Sequence, residues 1–274
     1  MTEKPLISIL TGIYNCADTL EEAVDSILAQ TYTNWELILC EDGSKDNTYE
    51  VAKSLADKYP DKIRLLRNDR NYGLNRTLNN CLAAAKGKYI ARMDGDDLSV
   101  PDRLEKEVVF LENHPEFAIV SSPMIYYDEN GEWGRGSSLP EPTLKDFALR
   151  APVFCHAPCM ILRDAIQSVG GYTEEKVYLR FEDCNLWYKL YAAGYRGANL
   201  QEPLYKMRDD RNAYARRTVK TRLRAVYVQY LGFRIVHMKW YYYPLLLKDL
   251  IKGVSLAIMP SSLYMWLHRA RLSH

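Results

Sequence analysis

Four times over its first 120 residues the chain follows an apolar, β-branched run with a segment of helical spacing. The runs "LISILTGIYN", "NWELILCEDGS", "KIRLLRN" and "KYIARMD" read as buried strands, and "FAIVSS" as a fifth. Between them "DTLEEAVDSILAQT", "NTYEVAKSLADKYP", "GLNRTLNNCLAAAKG" and "PDRLEKEVVFLENHP" read as helices. This alternation predicts an α/β fold, a Rossmann-like, mostly parallel sheet flanked by helices. The helix ends carry their own signals. Thr19 with Glu22 fits a capping box, Asp46 or Asn47 starts the second helix, Gly87 closes the third and Pro101 opens the fourth.

In such sheets ligands gather at the carboxyl ends of the strands. The polar clusters fall there: Tyr14–Asn15, Glu41–Asp42, Asn68–Asp69 and Asp94–Asp97. From about residue 121 the alternation stops. A hairpin around Asn130–Gly131, a short helix "TLKDFALR", a strand "CHAPCMILR" and a helix "DAIQSVGG" follow. A last helix, "EDCNLWYKLYAAG", opens on Glu182 and Asp183. Residues 1–208 read as one unit, a ligand-binding half to about 120 and a second half from 121.

"KGKYIARMDGDDLSV" sets Asp94, Asp96 and Asp97 within four residues at a strand end, where like charges repel. An EF-hand is excluded. Asp94, Asp96 and Glu105 match positions 1, 3 and 12, but Leu98 and Ser99 occupy 5 and 6, and Pro101 falls inside the loop. Two readings remain: a solvated acidic turn, and a divalent-cation site that holds a diphosphate. Mg²⁺ and Mn²⁺ take oxygen ligands, commonly one or two carboxylates plus substrate phosphates. Gly95 lets the backbone approach a ligand closely. Asp42, on a Gly-containing turn, can accept from a base N–H or ribose hydroxyls. The P-loop pattern G-x-x-x-x-G-K-[ST] and the dinucleotide pattern G-x-G-x-x-G are both missing.

Taken in order, "SILTGIYNCADTLEEAVDSILAQTYTNWELILCEDGSKDNT", "NYGLNRTLNNCLAAAKGKYIARMDGDDLSVPDRL" and "FEDCNLWYKLYAAG" resemble the inverting family 2 glycosyltransferases of bacteria, over roughly residues 5–208. The resemblance implies the GT-A fold. It also implies transfer of a sugar from a nucleotide-diphosphate donor, a UDP-sugar favoured, to a glycan or lipid-linked acceptor in cell-surface polysaccharide synthesis. Carried over by motif, Thr11, Tyr14 and Asn15 line the nucleotide pocket and Asp42 meets the base. Asn71, Gly73, Asn79 and Arg92 shape the floor. Asp96 is the direct ligand of Mn²⁺ or Mg²⁺, Asp94 lies near metal and ribose, and Asp97 supports them. Asp183, with Glu182, matches the catalytic base. His156 matches a His near substrate, with a core His as the competing reading. Trp187, at i+4 from Asp183, faces the acceptor or fills the core. The pattern departs from the family in having Glu41 ahead of Asp42, and no His after the E-D helix. That stretch offers Asp209 or Asp210 instead, and the third protein ligand of the metal stays open. A catalytically inactive GT-A module that binds sugar nucleotides is the alternative, against which the intact acidic pairs argue.

Net charge near +1 hides an asymmetry: residues 201–274 hold 14 Lys/Arg against 4 Asp/Glu, while residues 1–200 hold 22 against 31. The tail, 209–274, reads as basic, aromatic helices: "AYARRTVKTRLRAVYVQYLGFRIVHMKWYYY", "PLLLKDLIKGVSLAIMP" and "SSLYMWLHRARL". That set suits peripheral contact with a membrane, or a helical appendage packed on the catalytic unit, or a dimer contact. A nucleic-acid partner is disfavoured, because the acidic first 200 residues repel phosphate backbones. Six scattered cysteines without a C-x-x-C pair point to a reducing compartment. The N-terminus reads as a mature start and no run of 18 apolar residues occurs. The expected location is cytoplasmic, at the inner face of the membrane if the tail docks. Composition does not fix the oligomeric state.

Overall fold

The computed structural model describes residues 4–149, 152–208 and 218–258. Strands β1 (Ile7–Ile13), β2 (Trp35–Glu41), β3 (Ile63–Arg67) and β4 (Tyr89–Arg92) alternate with helices α1 (Leu20–Leu28), α2 (Thr48–Lys58) and α3 (Leu74–Ala84), as the periodicity predicts. A short β5 (Leu98–Ser99), α4 (Arg103–Asn113) and β6 (Ile119–Ser121) follow. The predicted hairpin is β7 (Met124–Asp128) and β8 (Gly131–Arg135). After it come α5 (Leu144–Leu149), β9 (Met160–Leu162), α6 (Arg163–Ser168), α7 (Glu182–Ala192), β10 (Gly197–Asn199) and β11 (Tyr205–Arg208).

The main sheet has seven strands in the order β10-β6-β9-β4-β1-β2-β3. All its pairings are parallel except those of β9, which runs antiparallel between β4 and β6. Successive residues of β1 serve opposite layers: Ile9 belongs to the core under α1 and α4, Leu10 to the core under α3 and α7. Burial on both faces is why these strands read as continuous apolar runs. The strand order reverses between β1 and β4, which opens a crevice at their carboxyl ends. A second sheet, β5-β11-β7-β8, stands beside that crevice. The sequence reading missed β5, β10 and β11, each of four residues or fewer.

Two local expectations are corrected. Thr19 does not form a capping box; its hydroxyl donates to Gly95 O at 2.9 Å. Glu22 instead pairs with Arg208 at 2.7 Å. Both residues thus tie α1 to the acidic loop and its cover. The first tail helix ends earlier than expected: α8 (Val219–Ile235) stops before His237, whose φ is +50°, while α9 (Pro244–Ile258) starts at Pro244 as predicted. α8 packs on α7 so closely that a Cβ on Gly232 would lie 2.1 Å from the Tyr188 ring. Val228 and Phe233 beside it are buried. The expected helix "SSLYMWLHRARL" lies outside the described residues, as do Asp209 and Asp210.

Candidate active site

β4 delivers Arg92, Met93 and Asp94 to the crevice. Arg92 is almost wholly buried, yet its guanidinium meets Asp94 Oδ1 at 2.7 Å and Met93 O at 2.7 Å. Burial alone would lower its pKa; Asp94 raises it, so the side chain stays charged. Arg92 is therefore the fixed cation inside the acidic cluster. It also acts to lower the pKa of Glu182 and Asp183 at the N-terminus of α7, which favours their ionised forms. Burial pushes Glu182 up to about 7, with Asp183 as the next cause. Burial likewise raises Asp183. Asp94 contributes to the shift of Glu182, so the two acidic groups are close enough to act on each other electrostatically.

The acidic turn is built from the second sheet. Tyr205 Oη accepts from Asp94 N at 3.0 Å, and Asp97 Oδ1 accepts from Arg208 N at 2.8 Å. Arg208 Nε donates to Asp96 O at 3.1 Å. Tyr205 and Arg208 were missed by sequence reasoning. Their link to residues 94–97 exists only because β11 pairs with β5. Asp97 is buried and held far above the usual carboxylate range by desolvation, then by Asp94 and Asp96. Asp96 stands at the rim, raised by desolvation and then by Asp94. Asp94 and Asp96 offer hard oxygen donors crowded enough for a divalent cation to relieve, so the pair suits Mg²⁺ or Mn²⁺. No group of three His, Cys, Asp or Glu side chains suited to a metal occurs among the described residues, which do not include Asp209 and Asp210.

The other wall is the end of β1 and the turn after β2. The Thr11 hydroxyl is buried without a partner. Tyr14 is exposed, and Asn15 takes φ +50° while its Oδ1 accepts from Lys45 N at 2.8 Å. Asp42 is buried and accepts from Asn68 Nδ2 at 2.7 Å and from Tyr72 N and Gly73 N at 2.9 Å each. Its carboxylate thereby shapes the loop that carries Asn71 and Gly73. Glu41 is also structural, accepting from Ser44 N and pairing with Arg67 at 3.4 Å. Asp46 caps α2 as expected, accepting from Thr48 N at 3.1 Å, and joins it to Ala17 N at 3.1 Å.

Of the two readings of Trp187 the core one holds: it is 1% exposed and packs edge-on against Phe154, centroids 5.3 Å apart. Position i+4 from Asp183 points into the core beneath α7, because Asp183 itself sits on the helix's first turn. Asn79 is not a nucleotide floor. It bridges Tyr172 N and Tyr172 O at 2.8 Å each, stapling the segment ahead of α7 to α3. That staple has a purpose at one remove: Tyr172 Oη meets His156 Nε2 at 2.9 Å, and His156 Nδ1 stands 4.0 Å from Glu182 Oε1. Burial and then Arg92 depress His156 far below its ordinary pKa, so it is a neutral neighbour of the acidic pair.

The family model "Glycosyl transferase family 2" matches residues 8–170. The chain belongs to that family. It is 40% identical to EpsE of Bacillus subtilis (strain 168) over 274 residues, 99% of this chain and 96% of EpsE. It is 30% identical over 204 residues to the Escherichia coli UDP-Glc:alpha-D-GlcNAc-diphosphoundecaprenol beta-1,3-glucosyltransferase WfaP, covering 74% of this chain and 77% of WfaP. Among solved structures, the mannosyltransferase PcManGT of Pyrobaculum calidifontis, in complex with GDP-Man and Mn²⁺, superposes with a TM-score of 0.66 at 20% identity. That match covers 98% of this chain and 81% of PcManGT. The fold is GT-A, and the glycosyltransferase class expected from the motifs holds.

Proposed function

We propose that this family 2 enzyme moves a sugar, with inversion, from a nucleotide-diphosphate donor to a hydroxyl of a lipid-linked glycan during cell-surface polysaccharide synthesis at the inner face of the membrane. The observation that carries the reading is the buried Arg92, paired at 2.7 Å with Asp94 at the end of β4 and acting electrostatically on Glu182 and Asp183 at the start of α7. Single displacement needs those two stations, one for a leaving diphosphate and one for a base. WfaP's UDP-Glc donor and diphosphoundecaprenol acceptor support a UDP-sugar and a lipid carrier here. The Mn²⁺ in the PcManGT complex supports a divalent cation.

In this reading the base and ribose lie between the end of β1, the Asp42 turn and the 71–73 loop. Asp94 and Asp96 would hold Mg²⁺ or Mn²⁺, which when bound neutralises charge on the leaving diphosphate. The acceptor oxygen attacks the anomeric carbon from the face opposite the diphosphate. The carbon–phosphate-oxygen bond breaks, and the hydroxyl proton passes to the Asp183 carboxylate. Such positioned proton transfer is typically worth ~10²–10⁴-fold. The α7 N-terminus favours the ionised form of Asp183 and opposes the rise caused by burial.

The test is a hydrolysis and transfer screen over UDP-, GDP- and dTDP-sugars with Mn²⁺ or Mg²⁺. One donor class should respond. Asp96→Ala should lose metal-dependent donor binding, whereas Asp183→Ala should bind donor and lose transfer by ~10²-fold or more. Donor binding by the wild type without turnover on any acceptor would replace this reading with that of an inactive sugar-nucleotide module.

A further inference from the structure

The α8–α9 hairpin is apolar on both sides. Its inner side packs on α7 through Val228 and Phe233, with Leu245 and Leu246 against the same core. Among the described residues its outer side has exposed apolar side chains. Leu247 and Ile251, each 60% exposed, stand one turn apart on α9, with Lys248 and Lys252 exposed beside them. At the corner between the helices Trp240 is 81% exposed, flanked by Lys239 and Tyr241. On α8, Leu223, Tyr227 and Tyr230 form an exposed row that ends on Arg234.

We propose that this outer face is a docking surface for an anionic phospholipid bilayer. The occupant follows from charge. Between residues 218 and 258 the sequence has seven Lys/Arg and a single acid, Asp249. A second copy meeting this face about a twofold axis would set its lysines against one another. A headgroup layer supplies the missing anions, takes Trp and Tyr rings at its boundary, and accepts leucine and isoleucine below it. The contact is peripheral, since no helix among the described residues is long and apolar enough to cross a membrane. The hairpin also adjoins the site: the Arg224 guanidinium of α8 lies 5.5 Å from the ring centre of Phe181, the residue before Glu182. Docking therefore holds the segment that carries Glu182 and Asp183 near the bilayer. The inference deepens the reading of a lipid-linked acceptor and rests on it for its purpose, though not for its geometry.

Flotation of the full chain with phosphatidylcholine vesicles, with and without phosphatidylglycerol, tests it. The wild type should float with the anionic vesicles and far less with the neutral ones. Lys248→Gln with Lys252→Gln should cut the partition about thirty-fold. Leu247→Ser with Ile251→Ser, and Trp240→Ser alone, should each weaken it. All should keep wild-type donor hydrolysis in solution, which also shows that they fold. Absence of flotation, flotation that these variants leave untouched, or a dimer in sedimentation that Trp240→Ser dissociates would overturn the proposal. Flotation needs no donor, so loss of hydrolysis with intact flotation would strike the transferase reading alone.

Discussion

Arg92→Met tests whether a buried guanidinium holds the two acidic stations together. Two unit charges about 4 Å apart attract by about 4 kcal/mol at an effective dielectric of about 20. Burying the guanidinium offsets much of that in the intact pair, but removing one partner leaves the other with its desolvation unrelieved, typically at about 3–5 kcal/mol. Asp94 retains 32% of its side-chain exposure, so water compensates it in part and the lower figure applies. Met93 O also loses its donor. The expected loss is about 3 kcal/mol in urea unfolding, with Arg92→Lys smaller because the charge survives without the fork. A second readout separates this from a packing defect. Arg92 lowers the pKa of both Glu182 and Asp183, so its removal should move the acid limb of the kcat–pH profile toward neutral pH. Arg92→Met within about 1 kcal/mol of wild type, with an unmoved acid limb, would refute the reasoning.

Glu107, fully buried beside Arg103, is pushed up to about 7 by burial. A raised carboxyl stabilises fully below its unfolded pKa of 4.5 and loses that contribution as pH climbs through about 7. Glu107→Gln should therefore flatten the decline in unfolding free energy across that window, by up to about 3 kcal/mol; parallel curves would contradict it. Gly43→Ala should destabilise by about 2 kcal/mol or more and weaken donor affinity, because φ is +72° and the added Cβ would lie 2.6 Å from Asn71 N; equal melting and binding curves would contradict it. Arg180, at φ +70° just ahead of the base pair, should gain about 0.5–1 kcal/mol on replacement by Gly. A loss on thermal unfolding would show that its side chain holds something in place.

The first 113 residues were legible because their periods are long and their strands are buried on both faces. The same reading drew attention to Asp94–Asp97, since ligand groups collect at the carboxyl ends of such strands, whereas Glu182–Asp183 at a helix start stood out only through the family motif. What escaped it depends on contacts remote in sequence. β9 enters the sheet next to β4 from some 70 residues downstream, and Tyr205 and Arg208 reach the acidic turn over 111 positions. The contacts of Trp187 and Asn79 were not legible for a related reason. Helical spacing says which residues share a face, and only tertiary packing says whether that face meets substrate, core or a neighbouring segment. Asp42 shows the same limit: its position was clear, while its bonds to the 72–73 amides were not.

The electrostatics of the site also argue for an order of binding. Asp96, Asp97, Glu182 and Asp183 are all raised, desolvation being the largest cause in each, and His156 is held neutral. Arg92 already donates to Asp94 and to Met93 O, and it cannot offset every carboxylate around it. A diphosphate entering alone would meet further like charge at the mouth of the crevice. Donor affinity should therefore rise steeply with divalent-cation concentration, and cation affinity should rise by the same factor with donor present, since the two are linked. A donor that binds equally well in chelator would mean that the carboxylates of β4 and α7 face away from the diphosphate, and that the crevice between β1 and β4 holds the nucleotide by its base and ribose alone.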